Sequence, residues 1–180
     1  FYQPSQDLAN AYQTSNGLPL LDTYNQTDIA NDAGINTDEA FTPHTGPLDP
    51  RIDYTIARRG IEYNGYGPFT GKENIRASFS DISGPYAAKK SMYYAGDDTN
   101  KGTGGWGEQR SGINYHIIRY ADVLLMAAEA AVESGSLETA RGYVNQVRQR
   151  AIDGPRADSS PNYSISTYDS AWTDQAVARK

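Results

Sequence analysis

The chain has 180 residues, with 16 Lys and Arg against 22 Asp and Glu and a formal net charge of -6. No basic stripe accumulates that would neutralise phosphates, so nucleic acid is excluded as an expected partner. Cysteine is absent, which excludes thiolate chemistry, disulfides and cysteine-based metal sites within these residues. The sequence starts at Phe1, and a new apolar pattern begins just before Lys180. We therefore expect it to be a segment of a longer protein.

Residues 1–114 are rich in tyrosine, glycine and turn signals such as Asn64-Gly65, and they predict a loop-rich segment. Residues 6–14 predict a short helix with one apolar face. The stretch "RIDYTIARRG" predicts a short strand, because its apolar residues occupy alternate positions. Those positions are Ile52, Tyr54 and Ile56.

Residues 115–153 predict two helices, with Gly135 ending the first and Ser136 capping the second. Nearly all of the first helix is apolar except for one charged stripe, so it must be covered on two or more sides. Its longest apolar run is far shorter than the roughly 20 residues that cross a bilayer. Because the connection is so short, the helices must pack antiparallel as a hairpin. Residues 154–180 predict a loop and the start of a further helix.

Five charged residues are candidates for structural ion pairs in this hairpin. Arg119, Asp122 and Glu129 belong to the stripe of the first helix, whereas Arg141 and Arg148 flank the apolar stripe of the second. We expect either arginine to meet Asp122 or Glu129 across the hairpin. A catalytic role for Glu129 is disfavoured, since no second carboxylate or histidine is placed to act with it.

Motifs for other chemistry are weak. "GTGGWG" matches the spacing of a dinucleotide-binding loop, but bulky Trp106 and the polar residues after it favour a surface loop. "DDTNKG" partly matches a calcium loop but lacks its closing glutamate, so a solvated turn is favoured. The two histidines, His44 and His116, are not accompanied by a nucleophile motif. We therefore predict no catalytic residue, no metal ligand and no cofactor.

The amino-acid sequence of the predicted helical hairpin resembles that of known families. Its small residues and turn resemble a tetratricopeptide-type unit. "RYADVLLMAAEA" followed by "LETARGYVNQVRQRA" resembles the SusD/RagB family of outer-membrane nutrient-binding lipoproteins. "DLANAYQTSNGLPL", "LDPRIDYTIARRGIEY" and "GPYAAKKSMYY" come upstream in the order that family would show.

This resemblance implies a fold class that is mainly α: a tetratricopeptide-like α/α superhelix scaffold with a long loop-rich insert and at most a few short strands. All three segments would belong to one SusD-like domain fragment. The implied protein is lipid-anchored on the surface of a Bacteroidetes-type outer membrane, with the anchor outside these residues. It would capture oligosaccharides for polysaccharide utilisation without catalysis and pair with a SusC-like TonB-dependent transporter.

The tyrosine-rich half supplies candidates for the sugar site. Aromatic rings with polar tips match the flat C–H faces and surrounding hydroxyls of sugars. Trp106 is the best candidate for an exposed platform, because four neighbouring glycines leave it little to pack against. The full set of candidates is Trp106, Tyr93, Tyr94, Tyr63, Tyr66, Asn64 and Asp98. Two alternatives stay open: a helical-repeat module that binds protein through its exposed aromatics, and a fragment of a carbohydrate-active enzyme.

Overall fold

The computed structural model describes residues 3–71, 75, 84–105 and 110–180. Within them the fold is mainly α with a few short antiparallel strand pairs, which confirms the predicted fold class. The longest elements are helix α3, Tyr120–Glu133, and helix α4, Leu137–Asp153. The shorter helices are α1 at Gln6–Asn10, α2 at Ile52–Thr55 and α5 at Gln175–Ala178.

Helices α3 and α4 pack against each other as the predicted hairpin. Gly135 has φ +79° and closes α3, with its N–H donating to Val132 O and the Ser136 N–H donating to Ala131 O. These two bonds satisfy carbonyls that a helix end otherwise leaves unpaired. Ser136 stands at the N-cap of α4, but its side chain makes no capping hydrogen bond. Gly154 follows the last turn of α4, as its sequence predicts.

A buried cluster lies between α3, α4 and α5. Its centre is formed by small residues on the facing helices, including Ala128, which is 4% exposed, and Ala140, which is fully buried. Small side chains let the two backbones approach closely, and Trp172 covers the cluster from the segment before α5. Burial of these residues holds the hairpin and the C-terminal segment together.

The opposite side of α3 is exposed. Val123, Leu125 and Met126 retain 43–58% of their surface, and Ile117 and Ile118 before the helix are also exposed. The described residues therefore cover α3 on one side only, although its sequence predicts cover on several. No helix in the described ranges has the length and hydropathy that a membrane crossing requires.

The loop-rich half has a core of its own around α1 and α2. Strands β1 (Thr14–Ser15) and β2 (Leu18–Pro19) form a hairpin beside α1. The buried apolar side chains of this core come from widely separated segments and are Ala9, Ile29, Leu48, Ile52, Ile56 and Tyr86. Burial raises the pKa of the Tyr86 hydroxyl, which donates to Gln6 Oε1 at 3.0 Å, to about 12.

The prediction of a strand through Ile52, Tyr54 and Ile56 is wrong. Residues Ile52–Thr55 form one turn of helix, and the strand β3 begins only at Ile56–Ala57, where it pairs with β4 at Ala87–Ala88. Ile52 and Ile56 are four residues apart, a spacing that puts both on one helical face as well as on alternate strand positions. In the helical conformation the side chains of Ile52 and Ile56 are both buried in the core, and Tyr54 is partly exposed.

The two halves of the chain are joined by the segment that follows α4. Leu48 N–H donates to Asn162 O and Ser164 N–H donates to Leu48 O, so residues 162–164 run alongside Leu48. Further along, Ser166 N–H donates to Gly17 O in the turn between β1 and β2. The hairpin and the loop-rich half thus share one hydrogen-bonded framework.

Candidate functional site

Residues 60–69 form a β-hairpin whose tip carries two candidate tyrosines. The N–H groups of Gly60 and Tyr63 donate to Phe69 O and Gly67 O, each at 2.9 Å. The turn residues Asn64 and Gly65 have φ values of +48° and +82°, and Tyr66 N–H closes the turn on Tyr63 O. Positive φ at both central positions is the geometry that Asn-Gly favours in two-residue hairpin turns. We call residues 60–69 the tyrosine hairpin.

The rings of the tyrosine hairpin run from buried to exposed. Phe69 is buried, and its ring centroid lies 5.3 Å from that of half-buried Tyr63. Tyr63 in turn lies 6.1 Å from Tyr66, which is 55% exposed. Tilted ring pairs at these distances contribute attraction beyond simple burial. The inner rings therefore anchor Tyr66 while one side of it stays open to solvent.

A second tyrosine-bearing segment, residues 92–95, is hydrogen-bonded to the tip of the tyrosine hairpin. Ala95 N–H donates to Asn64 O at 2.8 Å, and the Asn64 amide donates to Met92 O at 3.4 Å. Asn64 is only 4% exposed. The prediction that Asn64 faces a ligand does not fit this position, because its amide is used to hold the neighbouring segment.

The joined segments bring Tyr63, Tyr66 and Tyr93 together, and Tyr94 follows Tyr93 in sequence. Burial, and to a smaller extent the phenol groups of Tyr66 and Tyr93, raise the pKa of Tyr63. Tyr94 is 55% exposed, like Tyr66. We call Tyr63, Tyr66, Tyr93 and Tyr94 the tyrosine cluster. Its two exposed rings stand on backbone that hydrogen bonds fix on both sides.

The loop after the cluster folds as a turn. The Asp97 carboxylate accepts hydrogen bonds from the Thr99 hydroxyl at 2.6 Å and from the Asn100 amide at 2.7 Å. These bonds, Thr99 first, lower the pKa of Asp97. Asp98 is exposed beside them. Among the described residues no group of three His, Cys, Asp or Glu side chains is placed to hold a metal.

Other sequence-based candidates lie elsewhere. Trp106 falls outside the described residues, so its role as an exposed platform stays a prediction. His44 is half-buried, and its Nδ1 accepts a hydrogen bond from Ala30 N–H at 3.2 Å. His116 is exposed and lies four residues before the start of α3 at Tyr120. The two histidines belong to separate parts of the chain and do not join the tyrosine cluster.

The predicted ion pairs across the helical hairpin are wrong. Arg141 pairs with Glu138 on its own helix at 2.7 Å, and Arg119 lies 3.8 Å from Asp122, also within one helix. Asp122 accepts the Arg119 backbone N–H at 2.7 Å and so closes the first turn of α3. Glu129 is exposed, and among the described residues it forms no ion pair with Arg141 or Arg148.

Arg148 turns away from the helical hairpin instead. Its guanidinium donates to Ser166 O at 2.5 Å and to Gly17 O at 2.6 Å, and it lies 5.3 Å from the centre of the Tyr168 ring. Arg148 is 6% exposed, and its burial lowers its pKa. Backbone carbonyls, which no charge pattern in the sequence reveals, are its partners.

Sequence reasoning also missed a buried polar network beneath the tyrosine hairpin. Fully buried Asp53 receives two hydrogen bonds from the Arg58 guanidinium, at 2.6 and 2.8 Å, and one from the Tyr163 hydroxyl at 2.6 Å. Nearby Lys89 is 6% exposed, and its burial lowers its pKa. The sequence "RIDYTIARRG" contains a signal for this network, because Asp53 and Arg58 lie among apolar residues that are buried in the core.

Comparison with known proteins identifies the family. The model of the SusD family matches residues 1–179, which is nearly the whole chain. This chain belongs to the SusD family. No curated protein matches it.

Membership in the SusD family supports carbohydrate binding in nutrient uptake as the role of this chain. Members of the SusD family are non-catalytic binding proteins, generally found as outer-membrane surface lipoproteins. A surface with exposed rings on fixed backbone is the kind of feature that such binding requires. The tyrosine cluster has two exposed rings, Tyr66 and Tyr94, in the loop-rich half of this SusD-family chain.

Proposed function

We propose that this protein binds oligosaccharide at the cell surface through the tyrosine cluster and delivers it to a TonB-dependent outer-membrane transporter. The observation that carries the proposal is the pair of exposed rings, Tyr66 and Tyr94, on two segments joined by the Ala95 to Asn64 hydrogen bond. A lipid anchor would hold the protein at the membrane, and the SusC-like transporter would be its partner there.

The chemistry of the exposed rings suits a sugar. A pyranose presents a flat C–H face that packs on an aromatic ring, while its hydroxyls need hydrogen-bond partners at the rim. Tyr66 and Tyr94 provide both the ring and a phenolic hydroxyl, and exposed Asp98 provides a carboxylate close by in sequence. Because the backbone of Tyr66 is already fixed in its turn, little conformational entropy is lost on binding.

The proposed role makes and breaks no bond. Hydrolysis of a glycoside needs a pair of carboxyl groups about 5 to 9 Å apart. The Asp97 carboxylate is engaged in its own turn, and the Asp53 carboxylate is buried and fully paired. Both carboxylates are thus occupied with structural hydrogen bonds.

The exposed side of α3 favours a second candidate function, binding of a protein. Leu125 and Met126 on α3 and Ile117 and Ile118 before it expose apolar surface, which is characteristic of interaction sites. Under this alternative the helical hairpin is a protein-interaction module and the tyrosine cluster binds no sugar.

Isothermal titration calorimetry of the full chain with a panel of neutral oligosaccharides separates these candidates. The panel should include α- and β-linked glucans, mannans, xylans and galactans. Saturable binding to at least one member, without release of reducing sugar, is the expected result. Binding to none favours the protein-interaction function, and release of reducing sugar favours the enzyme.

A further inference from the structure

The backbone of Glu62 faces away from its own hairpin. The bonds from Tyr63 N–H to Gly67 O and from Phe69 N–H to Ile61 O flank the pair formed by Glu62 and Pro68. In an antiparallel ladder, a residue between two such bonds directs its own N–H and C=O outward. The outer edge of the tyrosine hairpin therefore offers one donor and one acceptor that no neighbouring strand satisfies.

Two side chains from distant segments take those groups. Lys89 Nζ donates to Glu62 O at 2.5 Å, and Asp158 Oδ2 accepts the Glu62 N–H at 2.8 Å. Both residues make further hydrogen bonds: the backbone N–H of Lys89 donates to Thr55 O, and the other carboxylate oxygen of Asp158 accepts from Ser160 N–H. The two side chains thus replace a third strand along this edge.

Glu62 also contacts the turn at the tip of the tyrosine hairpin. Its carboxylate accepts the Gly65 N–H at 2.7 Å, so its backbone and its side chain are both engaged. Gly65 is the second central residue of the turn that carries Tyr63 and Tyr66. Lys89 is buried at the base of the hairpin, close enough to the carboxylates of Asp53, Glu62 and Asp158 to interact with them electrostatically.

We propose that Lys89 and Asp158 are positioning residues for the tyrosine cluster: by holding the backbone of Glu62 they fix the direction of the hairpin tip. They thereby fix the placement of Tyr66 relative to the segment that carries Tyr94, which is hydrogen-bonded to that tip. The proposal rests on the proposed sugar-binding function and adds two residues that never touch the sugar. Preorganisation of this kind raises affinity by lowering the entropy lost on binding.

Hydrogen exchange of the glycan-free full chain tests the positioning role. Lys89→Met keeps most of the buried stem but removes the donors, and we expect the Gly65 and Tyr66 amides to exchange roughly tenfold faster, while amides of α4 are unchanged. Lys89→Arg, which restores a donor, should bring exchange back toward the wild type. Lys101→Met, at an exposed lysine, is the matched control.

Binding completes the test. For the panel oligosaccharide that the wild type binds, Lys89→Met should weaken affinity about fivefold to tenfold. The same change should have little further effect in a Tyr66→Ala background, since the ring to be positioned is then absent. A purely structural lysine would instead lower the melting temperature and leave the affinity of the folded protein unchanged.

Unchanged exchange at the hairpin, or equal acceleration in α4, overturns the positioning role. Additive losses of affinity in the double variant overturn it as well. Because exchange is measured without glycan, failure of the proposed function is seen separately, as binding to no member of the panel.

Discussion

The hydrogen bond from Tyr163 to Asp53 is the contact by which the segment after α4 holds the core of the loop-rich half. The Tyr163 hydroxyl lies 2.6 Å from Asp53 Oδ2, and Asp53 also receives two bonds from Arg58. Burial, followed by the hydrogen bond to Asp53, raises the pKa of Tyr163, so its hydroxyl keeps its proton at neutral pH. Tyr163→Phe removes this one donor and leaves the ring in place.

The expected loss of stability follows from the partners that remain. A hydrogen bond to a charged group is worth about 1.5–3 kcal/mol. Because Asp53 keeps both Arg58 donors, its carboxylate is not left unpaired, and we expect the free energy of unfolding to fall by about 1–2 kcal/mol. For a chain of this size, each kcal/mol shifts the melting temperature by roughly 2–4 °C. The variant should therefore melt about 2–8 °C below the wild type.

Urea unfolding and thermal melting of Tyr163→Phe and Tyr168→Phe provide the assay. Tyr168 belongs to the same segment, and its hydroxyl makes no hydrogen bond among the described residues, while its ring packs on Trp172 and Arg148. Tyr168→Phe should therefore change the melting temperature by less than about 1 °C. Equal melting temperatures for the two variants would refute the reasoning.

Two further predictions concern backbone and pH. Gly17→Ala should destabilise by about 2 kcal/mol or more, because φ is +79° and the added Cβ would lie 2.7 Å from Ser166 N. Gly34→Ala, with φ +78° and open space around it, should cost only about 1 kcal/mol, and equal losses in chemical denaturation would contradict this difference. Burial, then the charge of Arg58, lowers the pKa of His44, so its contribution to stability is present above about pH 6.5 and lost below. The stability difference between wild type and His44→Asn should shrink from pH 7.5 to 5.5, and a constant difference in urea titrations would contradict the assignment.

Elements defined by local periodicity were predictable from the sequence. The stripes of α3 and α4 have the spacing of helices, and Gly135 has the conformational freedom that the turn between them requires. Asn64-Gly65 marked the hairpin turn for the same reason, since both residues tolerate positive φ. In each case the information lies within a few residues of the structure it determines.

Features that depend on distant segments were not predictable. Ile52 and Ile56 fit a strand and a helical turn equally well, and the core around them decided between the two. Arg148 was expected to meet a carboxylate on α3, yet its partners are the carbonyls of Gly17 and Ser166. Asn64 was expected to face a ligand, but the segment at Met92 uses its amide. Each of these outcomes depends on a contact between residues far apart in the chain.

The tyrosine cluster was predictable from the sequence in part only. The residue types and their concentration before α3 indicated an aromatic surface from sequence alone. Which rings are open to solvent could not be inferred, because Tyr63 and Tyr66 are close neighbours yet one is half-buried and the other 55% exposed. Packing against Phe69 makes that difference.

The affinity of a Tyr66→Ala, Tyr94→Ala double variant for the panel oligosaccharide that the wild type binds is the most direct test of the central claim. Aromatic contacts contribute about 0.5–1.5 kcal/mol each beyond the area that they bury. Loss of two rings should therefore lower the affinity about tenfold, while the melting temperature stays within about 2 °C of the wild type. Tyr115→Ala, which removes an 81% exposed tyrosine outside the cluster, is the matched control and should bind like the wild type. Unchanged affinity in the double variant, or an equal loss in Tyr115→Ala, would contradict a glycan site at the tyrosine cluster.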